Sequence, residues 1–117
     1  LQSDMPLDES KYEVDILPAK GYEIEKDPKV MQLNADKLRF PLEIRAYETG
    51  DKIRSLGMKG MKKVSDVLVQ AKIPMKEKKN YPVLVSKDEI VAVIGLCISE
   101  DYKLDDSAKK VFVMRLT

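Results

Sequence analysis

The residues best equipped for chemistry in this sequence are basic and crowded. Between residues 52 and 79 stand nine bases: Lys52, Arg54, Lys59, Lys62, Lys63, Lys72, Lys76, Lys78 and Lys79. Only Asp66 and Glu77 oppose them, so the stretch carries +7 by difference in a chain whose net charge is +1. Ammonium and guanidinium groups grouped in this way can neutralise phosphates and release their condensed counterions, which favours salt-dependent binding of nucleic acid. A plainer reading stands beside it: a solvated basic face with no partner. Acids gather elsewhere, since Leu1 to Asp36 holds nine acids and four bases.

Other chemistries are curtailed. The chain has no histidine and a single cysteine, Cys97. That removes the commonest general base, argues against a zinc site, and rules out Ser-His-Asp and Cys-His nucleophile systems within the chain. Neither GxxxxGK[ST] nor GxGxxG occurs. Carboxylates and lysines remain as conceivable catalysts, but no spacing singles out a pair. One cysteine allows no intrachain disulfide, which fits a cytoplasmic setting. The longest apolar run, Ile90 to Ile98, is interrupted by Gly95 and has only the length of a strand, so no membrane span is expected. Leu1 to Asp15 lacks a basic-then-apolar signal pattern. The chain opens on Leu1 rather than Met, which reads as a fragment of a longer protein.

The elements that must position these residues follow from periodicity. At 117 residues, 44% apolar and 35% charged, the chain suits one compact unit with a small core and a heavily solvated surface. Tyr12 to Ile16 alternates as a half-buried strand does, and Tyr22 to Ile24 continues the pattern after Pro18 and Gly21. Val30 to Leu33 and Leu42 to Ala46 are further strands, the second with Pro41 at its start. Gly50-Asp51 and Leu56 to Gly60 read as loops. Val64, Val67, Leu68 and Ala71 form an amphipathic helical stripe, which Met61 extends one turn backward and Pro74 ends. Met75 to Lys79 suits one further helical turn with Pro74 in its first position. Val83 to Val85 and Ile90 to Ile94 predict a hairpin around Ser86 to Glu89. Leu96 to Ser99 continues past a bulge at Gly95, and Val111 to Leu116 is a last strand. The sum is α+β: mostly antiparallel sheet packed with one main amphipathic helix. Residues 1–37 form an acidic lead-in, either a subdomain or extra strands of the same sheet. Residues 38–117 form the main unit, with the boundary within Asn34 to Arg39.

Several motifs in order then resemble a known family. Ile44-Arg45, Gly50-Asp51 and Leu56-Gly-Met-Lys-Gly-Met-Lys-Lys-Val-Ser-Asp66 are similar to the C-terminal domain of tRNA(Ile)-lysidine synthetases. So are Ala71-Lys-Ile-Pro74, Pro82-Val-Leu84, Ile90 to Ile98 and Tyr102-Lys103, with a lead-in at Asn34 to Leu38. The match covers Leu38 to Leu116. It departs from the family pattern at Ala92, where a Trp is usual, at Cys97, where an Arg is usual, and at Met75 to Lys79, where lysines replace an arginine-rich run. Lysine is a point charge and lacks the planar fork of arginine, so contacts once made through Arg at position 97 are in doubt.

The resemblance implies an enzyme that uses ATP, with Mg, to adenylate the wobble cytidine of a CAU-anticodon isoleucine tRNA. The ε-amine of lysine then displaces AMP to give lysidine. The family's SGGxDS nucleotide loop has no counterpart here, so this chain is expected to hold no cofactor and not to catalyse alone. The implied role is to grip the tRNA acceptor stem beside the enzyme's own catalytic domain, in a protein often dimeric. The expected contact set is Arg45, Arg54, Lys59, Lys62, Lys63, Lys72, Lys76, Lys78 and Lys79. Amides of the Gly57 to Gly60 loop are expected to assist, and Arg45 has a competing role as partner of Asp51. An A-form stem is met mainly through phosphates, 2′-hydroxyls and the shallow groove, which such residues reach. Two further readings stay open: a free-standing RNA-binding domain without tRNA discrimination, and a protein-interaction module using the acidic lead-in.

Overall fold

Strand-forming runs pair here as antiparallel ladders throughout. The computed structural model describes residues 12–27 and 29–116; the first eleven residues of the acidic lead-in lie outside them. The strands are β1 (Tyr12–Pro18), β2 (Val30–Asn34), β3 (Leu42–Ala46), β4 (Lys52–Ile53), β5 (Lys62–Lys63), β6 (Pro82–Ser86), β7 (Glu89–Val93), β8 (Cys97–Ile98) and β9 (Lys110–Leu116). Two short helices, α1 (Val64–Gln70) and α2 (Met75–Lys78), fall between β5 and β6. They build a four-stranded sheet in the order β3-β6-β7-β8, a three-stranded sheet in the order β1-β9-β2, and the small hairpin β4-β5. The fold is α+β, mostly antiparallel sheet with α1 as its main helix.

The four-stranded sheet is covered on both faces. On one side Ile44, Leu84, Ala92 and Ile94 meet Met31, Leu33, Phe112 and Met114 of the three-stranded sheet. On the other, Val83, Val85, Ile90 and Val93 meet Ile53, Val64, Val67 and Leu68. Double coverage is why Val83 to Val85 and Ile90 to Ile94 are continuous apolar runs rather than alternating ones. The acidic lead-in does not extend that sheet. Its strands β1 and β2 flank the C-terminal strand β9, with Val14 opposite Met114 and Leu33 opposite Phe112.

The β6–β7 hairpin forms where expected, closed by Lys87 and Asp88 at φ 44° and 50°. Two central residues at positive φ match the twist of the flanking strands. Four local expectations are corrected. Tyr22 to Ile24 joins no ladder; the Tyr22 hydroxyl instead donates to the Gln32 side chain at 2.8 Å. Met61 does not extend the helix, because Lys62 and Lys63 are held extended by Ile53 and Lys52. Pro74 caps α2 from the N-cap position rather than beginning it, with ψ 148°. Gly95 sits in a reverse turn rather than a bulge: at φ +81° it lets the Leu96 amide reach the Val93 carbonyl at 2.9 Å, so β8 folds back on β7. The register shift lies in β6, between Leu84 and Val85.

Candidate nucleic-acid interface

The basic stretch is organised by the β4–β5 hairpin. Its register sets Lys52 opposite Lys63 and Ile53 opposite Lys62. Ile53 is fully buried against α1 and anchors the hairpin to the core, while Lys52 and Lys63 are exposed. Like charges directly opposite one another destabilise a ladder unless something anionic lies between them. Among the described residues Lys52 and Lys63 form no ion pair, nor do Lys59, Lys72, Lys76, Lys78 and Lys79. Lys52 belongs with the site although its type and spacing did not set it apart from its neighbours. Only strand register reveals its position.

The helix that follows, α1, carries no base of its own and joins the hairpin to a second group of lysines. Lys62 Nζ bonds the Gln70 side chain, tying β5 to the far end of α1. Asp66 is exposed in the first turn of α1, where its charge suits the helix dipole. Beyond Ala71 the chain closes as a Schellman turn. The Lys72 amide donates to the Val69 carbonyl at 3.0 Å and the Ile73 amide to the Leu68 carbonyl at 3.1 Å. Ile73 drops onto the Leu68 cluster, and Lys72 takes the left-handed position at φ 58°. Lys76 and Lys79 are exposed on and just after α2, and Lys78 is half-buried. Thus Lys59, Lys62 and Lys63 gather on or beside the hairpin, and Lys72, Lys76, Lys78 and Lys79 follow from the C-terminal end of α1.

The two arginines are engaged differently. Arg45, on β3, grips Asp51 through Nη1 at 2.8 Å and Nη2 at 3.1 Å, and Asp51 also accepts the Glu48 amide at 2.7 Å. Burial pushes the Asp51 carboxyl up, but Arg45 and the Glu48 amide outweigh it and hold the carboxyl below its ordinary range. The bond to Asp51 holds the Arg45 guanidinium more firmly protonated. The Asp51 carbonyl accepts the Val64 amide at 2.9 Å, so the pair steadies the start of α1. Arg54 pairs with Asp101 at the base of the β4–β5 loop.

Two of the four amides of the Gly57 to Gly60 loop are engaged within the chain. The Gly57 amide donates to Glu100 Oε1 at 2.8 Å, and the Met58 amide closes a turn onto the Ser55 carbonyl at 3.1 Å. The Gly57 amide, seconded by the Lys103 ammonium, holds the Glu100 carboxyl below its usual range. Gly57 supplies the turn's positive φ of +79°, whereas Gly60 does not adopt one. Cys97 lies half-buried on β8, where burial pushes its thiol up.

A family model described as the TilS substrate C-terminal domain matches residues 42–116. The chain belongs to that family. It is 38% identical over 93 residues to the tRNA(Ile)-lysidine synthase of Parabacteroides distasonis, covering 80% of this chain and 21% of that protein. It is 39% identical over 82 residues to the tRNA(Ile)-lysidine synthase of Bacillus subtilis, covering 68% of this chain and 17% of that protein. The chain therefore spans about a fifth of the length of the curated relatives it matches. The crystal structure of a TilS C-terminal domain superposes with a TM-score of 0.75 at 22% identity, over 95% of this chain and 86% of that one. An N-terminal fragment of the phenylalanyl-tRNA synthetase β-subunit from Pyrococcus horikoshii gives 0.63 at 22% identity, over 73% and 27%. These likenesses show the fold. Ala92 is fully buried between the two sheets, opposite Leu84.

Proposed function

We propose that this chain is the tRNA-gripping module of a tRNA(Ile)-lysidine synthase and holds the acceptor stem of its CAU-anticodon isoleucine tRNA. The observation that carries the reading is the pairing of Lys52 with Lys63 across the β4–β5 ladder, exposed and without a counter-charge among the described residues. Phosphates of an A-form stem relieve that repulsion. Lys59, Lys62, Lys72, Lys76, Lys78 and Lys79 extend the grip along the backbone. Arg45 serves chiefly by holding Asp51, and Arg54 by holding the loop base.

In the parent enzyme the catalytic domain joins lysine to the wobble cytidine at the expense of ATP. The proposal assigns ATP and Mg to that catalytic domain, since neither GxxxxGK[ST] nor GxGxxG occurs in this sequence. The same proposal has the parent act as a cytoplasmic ligase in tRNA modification, self-associated as a dimer. No helix among the described residues is long and apolar enough to cross a membrane.

The test is a titration of the chain against CAU-anticodon isoleucine tRNA and elongator methionine tRNA at several salt concentrations. Tighter binding of the isoleucine tRNA supports stem discrimination, and affinity should fall by roughly 0.7–0.9 log units per phosphate contact for each tenfold rise in salt. The double variant Lys52→Gln/Lys63→Gln should flatten that slope by about 1.5. Equal affinity for both tRNAs reduces the role to electrostatic grip. No binding at low salt overturns the proposal.

A further inference from the structure

Apolar side chains are exposed in the middle of the basic surface, where a purely electrostatic grip has no use for them. Of ten exposed large hydrophobic side chains among the described residues, five fall in the stretch that carries the nine bases: Leu56, Met58, Met61, Val69 and Met75. Three of them sit on one feature, the loop joining β4 to β5, with Leu56 51%, Met58 42% and Met61 60% exposed.

That loop is firmly based. The Arg54 carbonyl accepts the Glu100 amide at 2.7 Å, Ser55 bridges to Ser99, and Arg54 pairs with Asp101. Gly57 is held by Glu100 at 2.8 Å, and its left-handed φ reverses the chain directly after Leu56. The backbone is thus fixed by polar contacts while the apolar tip stays uncovered. Lys59 lies within the loop and Lys62 and Lys63 follow it, so a partner of this tip must tolerate several positive charges nearby.

We infer that the Leu56–Met58 tip packs on the flat face of the nucleobase at the open end of an RNA stem whose phosphates the surrounding lysines hold; this rests on the RNA-binding reading above. Charge complementarity selects nucleic acid over an apolar protein surface or a neutral ligand. Within a stem the base faces are stacked on one another and unavailable. Only the end of the helix offers a poorly hydrated aromatic plane. Leucine and methionine cover such a plane well, and the methionine thioether gains from contact with an aromatic ring. Apolar side chains pressed against base steps amid phosphate contacts are an established way of reading nucleic-acid shape. The tip thereby measures where the stem ends, a property that phosphate contacts alone do not report.

The experiment compares two RNA probes against the full chain. One is an acceptor-stem hairpin with a free end; the other is the same stem closed at both ends by tetraloops. The chain should bind the free-ended hairpin about ten-fold tighter, the gain from covering roughly half of two side chains. The variant Leu56→Ser/Met58→Ser should bind both probes equally, at the closed stem's affinity, with the salt slope unchanged. Both side chains are substantially exposed, so its urea midpoint should match that of the parent sequence. The swap Leu56→Met/Met58→Leu should restore end preference. Equal binding of both probes by the unaltered chain overturns the inference while leaving lysine-mediated binding intact. So does a serine variant that keeps its end preference. Loss of self-association in that variant with RNA affinity unchanged would reassign the tip to a protein contact. Failure of both probes to bind at low salt would remove the RNA reading and this inference together.

Discussion

Asp51 is the residue whose removal should be felt most widely for its size. Its carboxylate accepts Arg45 Nη1 at 2.8 Å, Arg45 Nη2 at 3.1 Å and the Glu48 amide at 2.7 Å, while its carbonyl receives the Val64 amide at 2.9 Å. The side chains of Arg45 and Asp51 are only 20% and 14% exposed. In Asp51→Ala the guanidinium keeps the Ala46 carbonyl at 3.0 Å and the Glu48 carboxylate at 3.6 Å, the latter on a side chain 74% exposed. Breaking a fully buried pair costs about 3–5 kcal/mol and losing one hydrogen bond to a charged group about 1.5–3 kcal/mol. This pair is partly solvated and Glu48 substitutes in part, so the loss should be about 2 kcal/mol. The sign with pH follows from the depressed Asp51 carboxyl. Its contribution is complete above the ordinary carboxylate pKa, about 3.9, and disappears as pH falls through the lower folded value. Urea denaturation of both proteins at pH 7 and in steps down into acid measures this. The gap should be full at pH 7 and should close below about pH 4. A gap under about 0.5 kcal/mol at pH 7, or one that persists undiminished in acid, would refute the assignment of Asp51 as a charged clamp.

Three further outcomes are expected. Lys72→Gly should raise stability by about 0.5–1 kcal/mol, because φ 58° strains a lysine and suits glycine. The same change should weaken tRNA binding and flatten its salt dependence by roughly 0.7–0.9; a rise in stability with affinity unchanged would remove Lys72 from the interface. Leu68→Ala should cost about 3 kcal/mol, since Leu68 is fully buried between α1 and the four-stranded sheet. Gly95→Ala should cost about 1–2 kcal/mol through its φ of +81°, because the added Cβ would meet Leu116 Cδ2 only at an ordinary 3.5 Å. Urea midpoints check the last two.

Much of the frame was legible in the order of residues alone. Val64, Val67 and Leu68 announce α1 by spacing, and the β-branched runs on either side of Ser86 to Glu89 announce the β6–β7 hairpin. Those signals are local: they depend on side chains a few residues apart along one element. The basic character of residues 52–79 was legible for the same reason, as was the family motif around Lys62-Lys63. What the sequence left undetermined depends on partners distant along the chain. Lys62 and Lys63 have no strand pattern of their own and become extended because Lys52 and Ile53 are there to pair with them. Met61 falls on the helical stripe yet stays outside the helix, because the ladder holds its successors extended. Gly95 reverses the chain because β8 gains a ladder on β7 by folding back. The Gly57 amide is spent on Glu100, more than forty positions away. Composition and short-range spacing thus determined that the chain is an α+β unit with a basic middle. Only tertiary structure decided that Lys52 faces Lys63, that Arg45 is held by Asp51, and that Leu56 and Met58 are left uncovered, because register and burial are settled between elements rather than within them.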